Sequence, residues 1–600
     1  MNLTKPDLPT DNSQPTIAYV VAMSEPASHL FEVRLEIRNW GTPTLDLKMP
    51  VWTPGSYLVR EYARQVQDFQ ATQSNNSLSL SSYKLSKNHW QVETQDLREI
   101  AVSYRVFAND LSVRSNHLDS SHGYINGAAL FFYLPGWETA PIRVTIVPPN
   151  DNWQVTTSLP LVPGETNTFE AEDFDTLVDS PFEIGSHRLE QFEVLGKPHQ
   201  LAIWGEGNAR VEKIIEDIKK IITTEAKLYG GLPYDRYLFL LHLSASGFGG
   251  LEHKNCCSLN YPRFNFRSRE KYNRFIQLVA HEFFHLWNVK RIRPKALEKF
   301  DYDGENYTTS LWFCEGTTSY YDMVIPLRAK IYDQKTFLAI LGKEINTYLT
   351  IPGRKVQPLD ESSFDAWIKL YRRDANSDNS QISYYLKGAM VSLMLDLLIR
   401  ERHQNRRTAP RISSRSLDDV MFLMWQRFGK EEIGFTAAEL QDTIESVAGM
   451  DLSDFFGRYV YGTEELPLGE YLEPFGLQLA PVMDKEPFPY LGIKAKLENG
   501  TSKILFVEAG SPAAVGGIDA GDELLAIDEM RVSSQQLNER LRNYRAGDTI
   551  AVTVFHQDEL KTFPVTLAEP KPNHYQIVSV AAPSPVQKQN LAGWLEQYGR

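Results

Sequence analysis

Cysteine is scarce, with three residues in 600: Cys256, Cys257 and Cys314. Two of them are adjacent, a poor spacing for a disulfide framework. This excludes a disulfide-stapled secreted scaffold and points to a reducing compartment. Positive charge is also short: 62 Lys and Arg face 76 Asp and Glu, a net charge of −14. A nucleic-acid binder normally carries a basic face, so no nucleic-acid partner is expected. No run of about 18 apolar residues stands out, so no membrane span is expected. The opening Met1-Asn2-Leu3-Thr4-Lys5-Pro6 lacks the apolar stretch of a signal peptide. Cytoplasmic residence is the resulting expectation.

Hydrophobic residues make up 42% of the chain, enough for packed cores. The length suits three or four domains at about 100–200 residues each. Residues 1–15 are polar and read as a flexible N-terminus. From 16 to 190 the pattern is that of strands: His29–Arg38 alternates apolar and polar residues, and Glu99–Phe107 and Pro141–Val147 resemble it. A β-sandwich or large antiparallel sheet is expected there. The pattern changes near residue 208. Val211, Ile214, Ile215, Ile218, Ile221 and Ile222 share one helical face, and a mostly α region with a small sheet is expected over 191–486. Short strands and Gly-rich turns return over 487–570, and a Pro-containing tail follows over 571–600.

The chemistry concentrates in His281-Glu282-Phe283-Phe284-His285. A helix is predicted across Lys271–Arg291, ended by Pro294. It sets His281 and His285 one turn apart on the same face. Two neutral imidazoles so placed suit a zinc ion with an open coordination position. Glu282 is then the candidate general base. A metzincin arrangement is excluded, because Asn288 and Arg291 stand where that pattern needs Gly and His. A third ligand is expected from the predicted helix Asn306–Val324. There Glu315 sits among large apolar residues, where an unpaired carboxylate would be costly. Asp301, Asp303 and Glu305 compete with it but lie in a polar loop. Cys314 points away from Glu315 around the helix and is expected to be a buried thiol. Gly249-Gly250-Leu251-Glu252-His253 follows a strand-like run, Tyr237–Leu243. Such a segment suits strand addition by an extended peptide, with Glu252 free to hold an α-ammonium. Tyr384 and Tyr385 open a later helix, where a phenol can donate to a developing oxyanion.

Together these segments (GGLEH, HEFFHLWNVKRI, LWFCEGTTSYYD and YYLKGAM, with Trp52-Thr53-Pro54-Gly55-Ser56-Tyr57 near the start) resemble the glycyl aminopeptidase family of gluzincins, whose members carry a C-terminal PDZ domain. The interval from His285 to Glu315 is longer than in the broader aminopeptidase clan, and GGLEH stands where that clan has GAMEN. Both departures favour the glycyl branch. The resemblance implies a thermolysin-like catalytic domain with Zn2+ held by His281, His285 and Glu315. It makes Glu282 the base, Tyr385 the transition-state tyrosine and Glu252 the amine-binding residue. The implied substrates are peptides with free N-termini beginning in Gly or Ala. Residues 487–570 resemble a bacterial PDZ domain whose carboxylate-binding loop is Tyr490-Leu491-Gly492-Ile493, implying a C-terminal peptide ligand. Two other readings remain open. One is a metalloendopeptidase, the other a PDZ-bearing peptide-binding scaffold with an inactive zinc site.

Overall fold

The computed structural model describes residues 14–74, 78–403, 415–483, 485–572 and 574–595. Apart from residues 14 and 15, the expected flexible N-terminus lies outside them. The chain forms two compact units. One comprises residues 1–306 and 427–434, the other 307–426 and 435–600.

The first unit begins with a seven-stranded sheet. Its order is Thr168–Ala171, Ile142–Val147, Thr16–Ala22, Leu30–Arg38, Glu99–Phe107, Val66–Gln73 and Ser79–Leu80. Leu30–Arg38 shows why these residues form strands. Phe31, Val33, Leu35 and Ile37 are buried, while the residues between them are partly exposed, the alternation of a half-buried strand. The sheet is not wholly antiparallel, since Thr16–Ala22 pairs in parallel with Ile142–Val147. A second sheet of four strands runs Gln154–Thr157, β1 (Phe182–Gly185), β2 (His122–Ile125) and His117–Leu118 in spatial order.

After these strands the unit holds a five-stranded sheet, larger than the single strand-like run suggested. Its order is Arg188–Val194, β3 (Lys197–Trp204), β4 (Tyr237–Ser244), β5 (Cys256–Pro262) and, at the edge, β6 (Gly249–Glu252). All eight residues of β4 are buried, as expected of a strand with parallel neighbours on both sides. Helix α1 (Val211–Tyr229) forms where the isoleucine face predicts it and stops at Gly230, whose φ is 82°. Helix α2 (Arg269–Phe284) starts at Ser268, whose hydroxyl accepts from the Lys271 N–H.

The predicted extent of α2 needs correction. The helix ends at Phe284 with His285 as its C-cap, well before Pro294. The cause is tertiary. The Arg291 guanidinium donates to the carbonyls of Leu286, Lys254 and Pro233, which folds the segment back on itself.

In the second unit, the helix expected over Asn306–Val324 is divided. A π-helical stretch, Trp312–Thr317, leads into α3 (Thr318–Arg328). Helix α4 (Tyr384–Arg402) is capped by Ser383. The segment Ser377–Arg402 is long and apolar enough to cross a membrane by length and composition, but it lies mostly buried inside the protein, as a core helix does. Near its end Arg400 and Asp396 form a wholly buried ion pair of 2.9 Å. The small β domain has its own core around Ile504, Leu524, Ile527, Ile550, Val552 and Val554. The described part of the tail packs onto the chain. His574–Ser579 pairs with Leu477–Val482, and a helix over Pro585–Leu595 buries Trp594, whose indole N–H donates to the Tyr320 hydroxyl at 3.0 Å.

Candidate active site

In the first unit the site grows from the end of α2. The rings of His281 and His285 lie 4.6 Å apart at 85°. His285 Nδ1 is 2.8 Å from the Asn288 carbonyl, so Nδ1 carries the proton and Nε2 keeps its lone pair, the state a metal ligand needs. That carbonyl is within reach because the helix ends where it does. Donor atoms of Glu252, Glu282 and His285, all buried, lie within 4.8 Å of one another.

Two glycines make this convergence possible. A Cβ on Gly250 would stand 2.1 Å from Glu282 Oε1, and one on Gly55 2.6 Å from both Glu252 oxygens. The Glu282 carboxylate therefore lies against edge strand β6, and the Trp52–Tyr57 segment lies over Glu252. That segment is anchored by the Trp52 indole N–H, which donates to the Asp301 carbonyl at 2.7 Å. Arg114 donates to the Gly250 carbonyl at 3.1 Å and fixes the strand.

Asp179 anchors the far side. It accepts from Lys290 at 2.6 Å, from the Lys254 backbone N–H at 2.7 Å and pairs with His253 at 3.1 Å. Burial alone would push its carboxyl up, but Lys290 and His253 outweigh burial and hold it below the usual carboxylate range. His253, the departure from the clan's pattern, is thus engaged with Asp179. Glu225 on α1 is fully buried, and its pKa is raised by burial against the lowering pull of nearby His281. Sequence reasoning missed it, although an acid on the isoleucine face of α1 was the signal.

In the second unit Glu315 is buried inside the π-helical stretch, a distortion that recurs at functional sites. The first turn of α4 presses closely on this stretch: a Cβ on Gly316 would stand 2.5 Å from Gly388 Cα. Burial raises the Tyr385 pKa well above 10, and the charge of Glu315 raises it further. The phenol therefore stays protonated, able to donate. Its hydroxyl lies 3.2 Å from that of Tyr371, a loop residue that no motif marks. Tyr384 is buried and stacked on Tyr385, with centroids 4.7 Å apart. Cys314 is buried, as expected.

The residues Tyr490–Ile493 form a separate group in the small β domain. Leu491 belongs to that domain's core rather than to a surface. Tyr490 pairs with Ala568, and Ile493 opens Ile493–Glu498, the edge strand of its sheet. This domain is tied to the helix Ser377–Ser380, just ahead of α4. Asn379 donates to the Val507 carbonyl at 3.0 Å and accepts from the Ala509 N–H at 2.9 Å, and Lys494 reaches Asp378 at 3.2 Å.

A sheet and helix carrying two imidazoles and two carboxylates, with a β domain before them in the chain and a small β domain after, make the donor set of a metallohydrolase. Three family profiles match: the peptidase M61 N-terminal domain over residues 18–186, the M61 glycyl aminopeptidase over 274–391, and a PDZ domain over 489–567. The chain is similar to the crystal structure of an aminopeptidase N family protein from Idiomarina loihiensis. The two share 33% identity at a TM-score of 0.89, covering 97% of this chain and 100% of that one. It is more distantly similar to an M1 zinc metallopeptidase from Deinococcus radiodurans, at 12% identity and a TM-score of 0.47, covering 76% of this chain and 94% of that one. No curated protein sequence matches it. The chain belongs to the M61 glycyl aminopeptidase family.

Proposed function

We propose that the protein is a zinc aminopeptidase that removes small N-terminal residues, Gly or Ala, from peptides. The convergence of Glu252, Glu282 and His285 beside His281 is the observation that carries this reading. His281, His285 and Glu315 are the proposed zinc ligands. The donor set fits zinc, with two imidazoles, one of them held with Nε2 open by the Asn288 carbonyl, and one buried carboxylate. Bound there, zinc would polarise a peptide carbonyl and acidify a water molecule.

The chain's own residues supply the rest. Glu282 takes the proton of the attacking water and returns it to the leaving amine. Tyr385, kept protonated by burial, donates to the carbonyl oxygen as negative charge builds there. Glu252, buried under the Trp52–Tyr57 segment, binds the substrate's α-ammonium, which selects free N-termini. The edge strand β6 accepts the substrate backbone by strand addition. At the PDZ domain, the loop Tyr490–Ile493 and the edge strand after it receive a C-terminal peptide.

Zinc analysis with a panel of aminoacyl amides tests the reading. His281→Ala and His285→Ala are expected to lose one equivalent of zinc and nearly all turnover. Glu252→Gln is expected to lose activity on free-amine substrates. Full turnover in either histidine variant, or equal cleavage of N-acetylated and free-amine substrates by the wild type, would overturn it.

A further inference from the structure

A second group of metal-ligating side chains, none of them part of a motif, lies between the four-stranded and five-stranded sheets of the first unit. His122 on β2 and Glu183 on β1 belong to the first sheet, and His242 on β4 belongs to the second. All three are buried, and their donor atoms lie within 4.8 Å of one another. The register explains how they meet. Tyr124 pairs with Glu183, and His122 with Gly185, so His122, Tyr124 and Glu183 share one face. Trp204 and His242 are register partners on the opposing sheet. The His122 ring stacks on Trp204, with centroids 3.7 Å apart, and His242 meets Tyr124 edge-on at 4.8 Å.

The hydrogen bonding around this group is incomplete. His122 is fully buried, yet neither ring nitrogen has a hydrogen-bond partner. Glu183 Oε2 meets His242 Nε2 at 2.8 Å, while Glu183 Oε1 and His242 Nδ1 have no hydrogen-bond partner. Each such buried polar atom is costly unless something satisfies it. Three donors no more than 4.8 Å apart share a point within roughly 2.8 Å of all three. Small rotations would bring this to the ~2.0–2.2 Å of zinc–nitrogen and zinc–oxygen bonds.

We infer that His122, Glu183 and His242 bind a divalent transition-metal ion of the zinc class, which clasps the N-terminal β domain to the catalytic sheet. Nitrogen and carboxylate donors without sulfur suit Zn2+, Co2+ or Ni2+ rather than a soft ion or calcium. The neighbouring trio His117, Asp119 and His122 shares His122 and offers the outer groups that orient such ligands. The strand β4 that carries His242 pairs with β5, which in turn pairs with β6 and Glu252. The clasp thus braces the sheet behind the substrate edge.

Cobalt titration of the metal-stripped full-length protein tests this, with stoichiometry from equilibrium dialysis and coordination from the visible spectrum. The His281→Ala/His285→Ala protein is expected to bind about one Co2+ with a spectrum of nitrogen and oxygen ligands. Adding His122→Ala should weaken that binding at least tenfold. Adding Glu183→Gln instead, which nearly preserves shape, should do the same if the His122 variant fails to fold. The inference is overturned if the double-alanine protein takes up no cobalt. It is also overturned if neither added substitution weakens uptake, or if thiolate charge-transfer bands place the ion at cysteine. A wild type that binds only at His122 would leave this site standing and sink the catalytic zinc reading.

Discussion

Two groups of histidine and carboxylate among the described residues of the first unit are built on different elements. One lies at the end of α2, where His281 and His285 are one turn apart and Glu282 and Glu252 converge on them. The other spans two sheets, and His242 meets Glu183 across 59 positions of sequence. The helical group faces an edge strand and reads as a place for chemistry. The sheet group is enclosed by Trp204, Tyr124 and His117 and reads as a fastening. Similar side chains therefore serve different ends according to what surrounds them. The helical group should govern turnover with little effect on stability, and the sheet group the reverse.

The largest effect is expected at Glu282. Glu282→Gln keeps the size of the side chain but cannot accept the proton, so turnover should fall by about 10²–10⁴-fold. Zinc content and melting temperature should hold. A Gln variant with near-normal kcat would remove the chemical role from the helical group and with it the contrast.

Tyr385→Phe should come next, lowering kcat by about 10²–10³-fold, the usual loss for one oxyanion donor. KM should barely change, because ground-state binding is largely untouched. Tyr384→Phe is the control and should be mild. If the two phenotypes are exchanged, the tyrosine facing the substrate has been misassigned.

Gly250→Ala sharpens the comparison from the backbone side. The new methyl would fall 2.1 Å from Glu282 Oε1. The obstacle is the far end of a side chain, so Glu282 must swing away while the strand stays. Misplacement on the order of 1 Å can cost up to about 10²-fold, so kcat should fall tenfold or more with an unchanged melt. If the melting temperature collapses instead, β6 carries more of the fold than its edge position implies.

The same contrast explains what was legible in the sequence. HExxH could be read because a helix brings i and i+4 together, so spacing alone specifies the constellation. Glu315 was readable as an acid among aromatics, and the strand alternation of Leu30–Arg38 as a half-buried surface. The end of α2 at Phe284 was not readable, because Arg291 reaches carbonyls distant in sequence to fold the segment back. Tyr371 was hidden for a similar reason: its meeting with the Tyr385 hydroxyl is made by a loop without a period. The sheet group was wholly hidden. Strand register and sheet stacking bring His122, Glu183 and His242 together, and neither leaves a fixed spacing in one sequence. The Pro-containing tail could be read either as loose or as wrapping back, because composition does not choose between them; packing does, with Trp594 set into the helical core.

The smallest effect on turnover should follow from Glu183→Gln, and it tests the sheet group directly. Glu183 and His242 are nearly inaccessible, with side chains 2% and 1% exposed. Burial alone would raise the Glu183 pKa, but the neighbouring His242 outweighs it and holds the carboxyl below its ordinary value. A group depressed in the folded state stabilises the fold above its unfolded pKa, and that contribution is lost as pH falls through the folded value. The wild type should therefore melt above Glu183→Gln at pH 7, and the gap should narrow as pH drops below about 4.5, the ordinary value for glutamate. Breaking one partner of a buried pair can cost about 3–5 kcal/mol, so the gap at pH 7 should be several degrees. Glutamine can still hydrogen-bond to His242, which places the loss toward the lower figure. Turnover at 25 °C should stay within about twofold of wild type, because neither side chain belongs to the group around His281 and His285 (k changes tenfold only for each 1.36 kcal/mol of barrier). A tenfold loss of kcat with an unshifted melt would mean that the sheet group takes part in the chemistry, and the division between fastening and catalysis would fail.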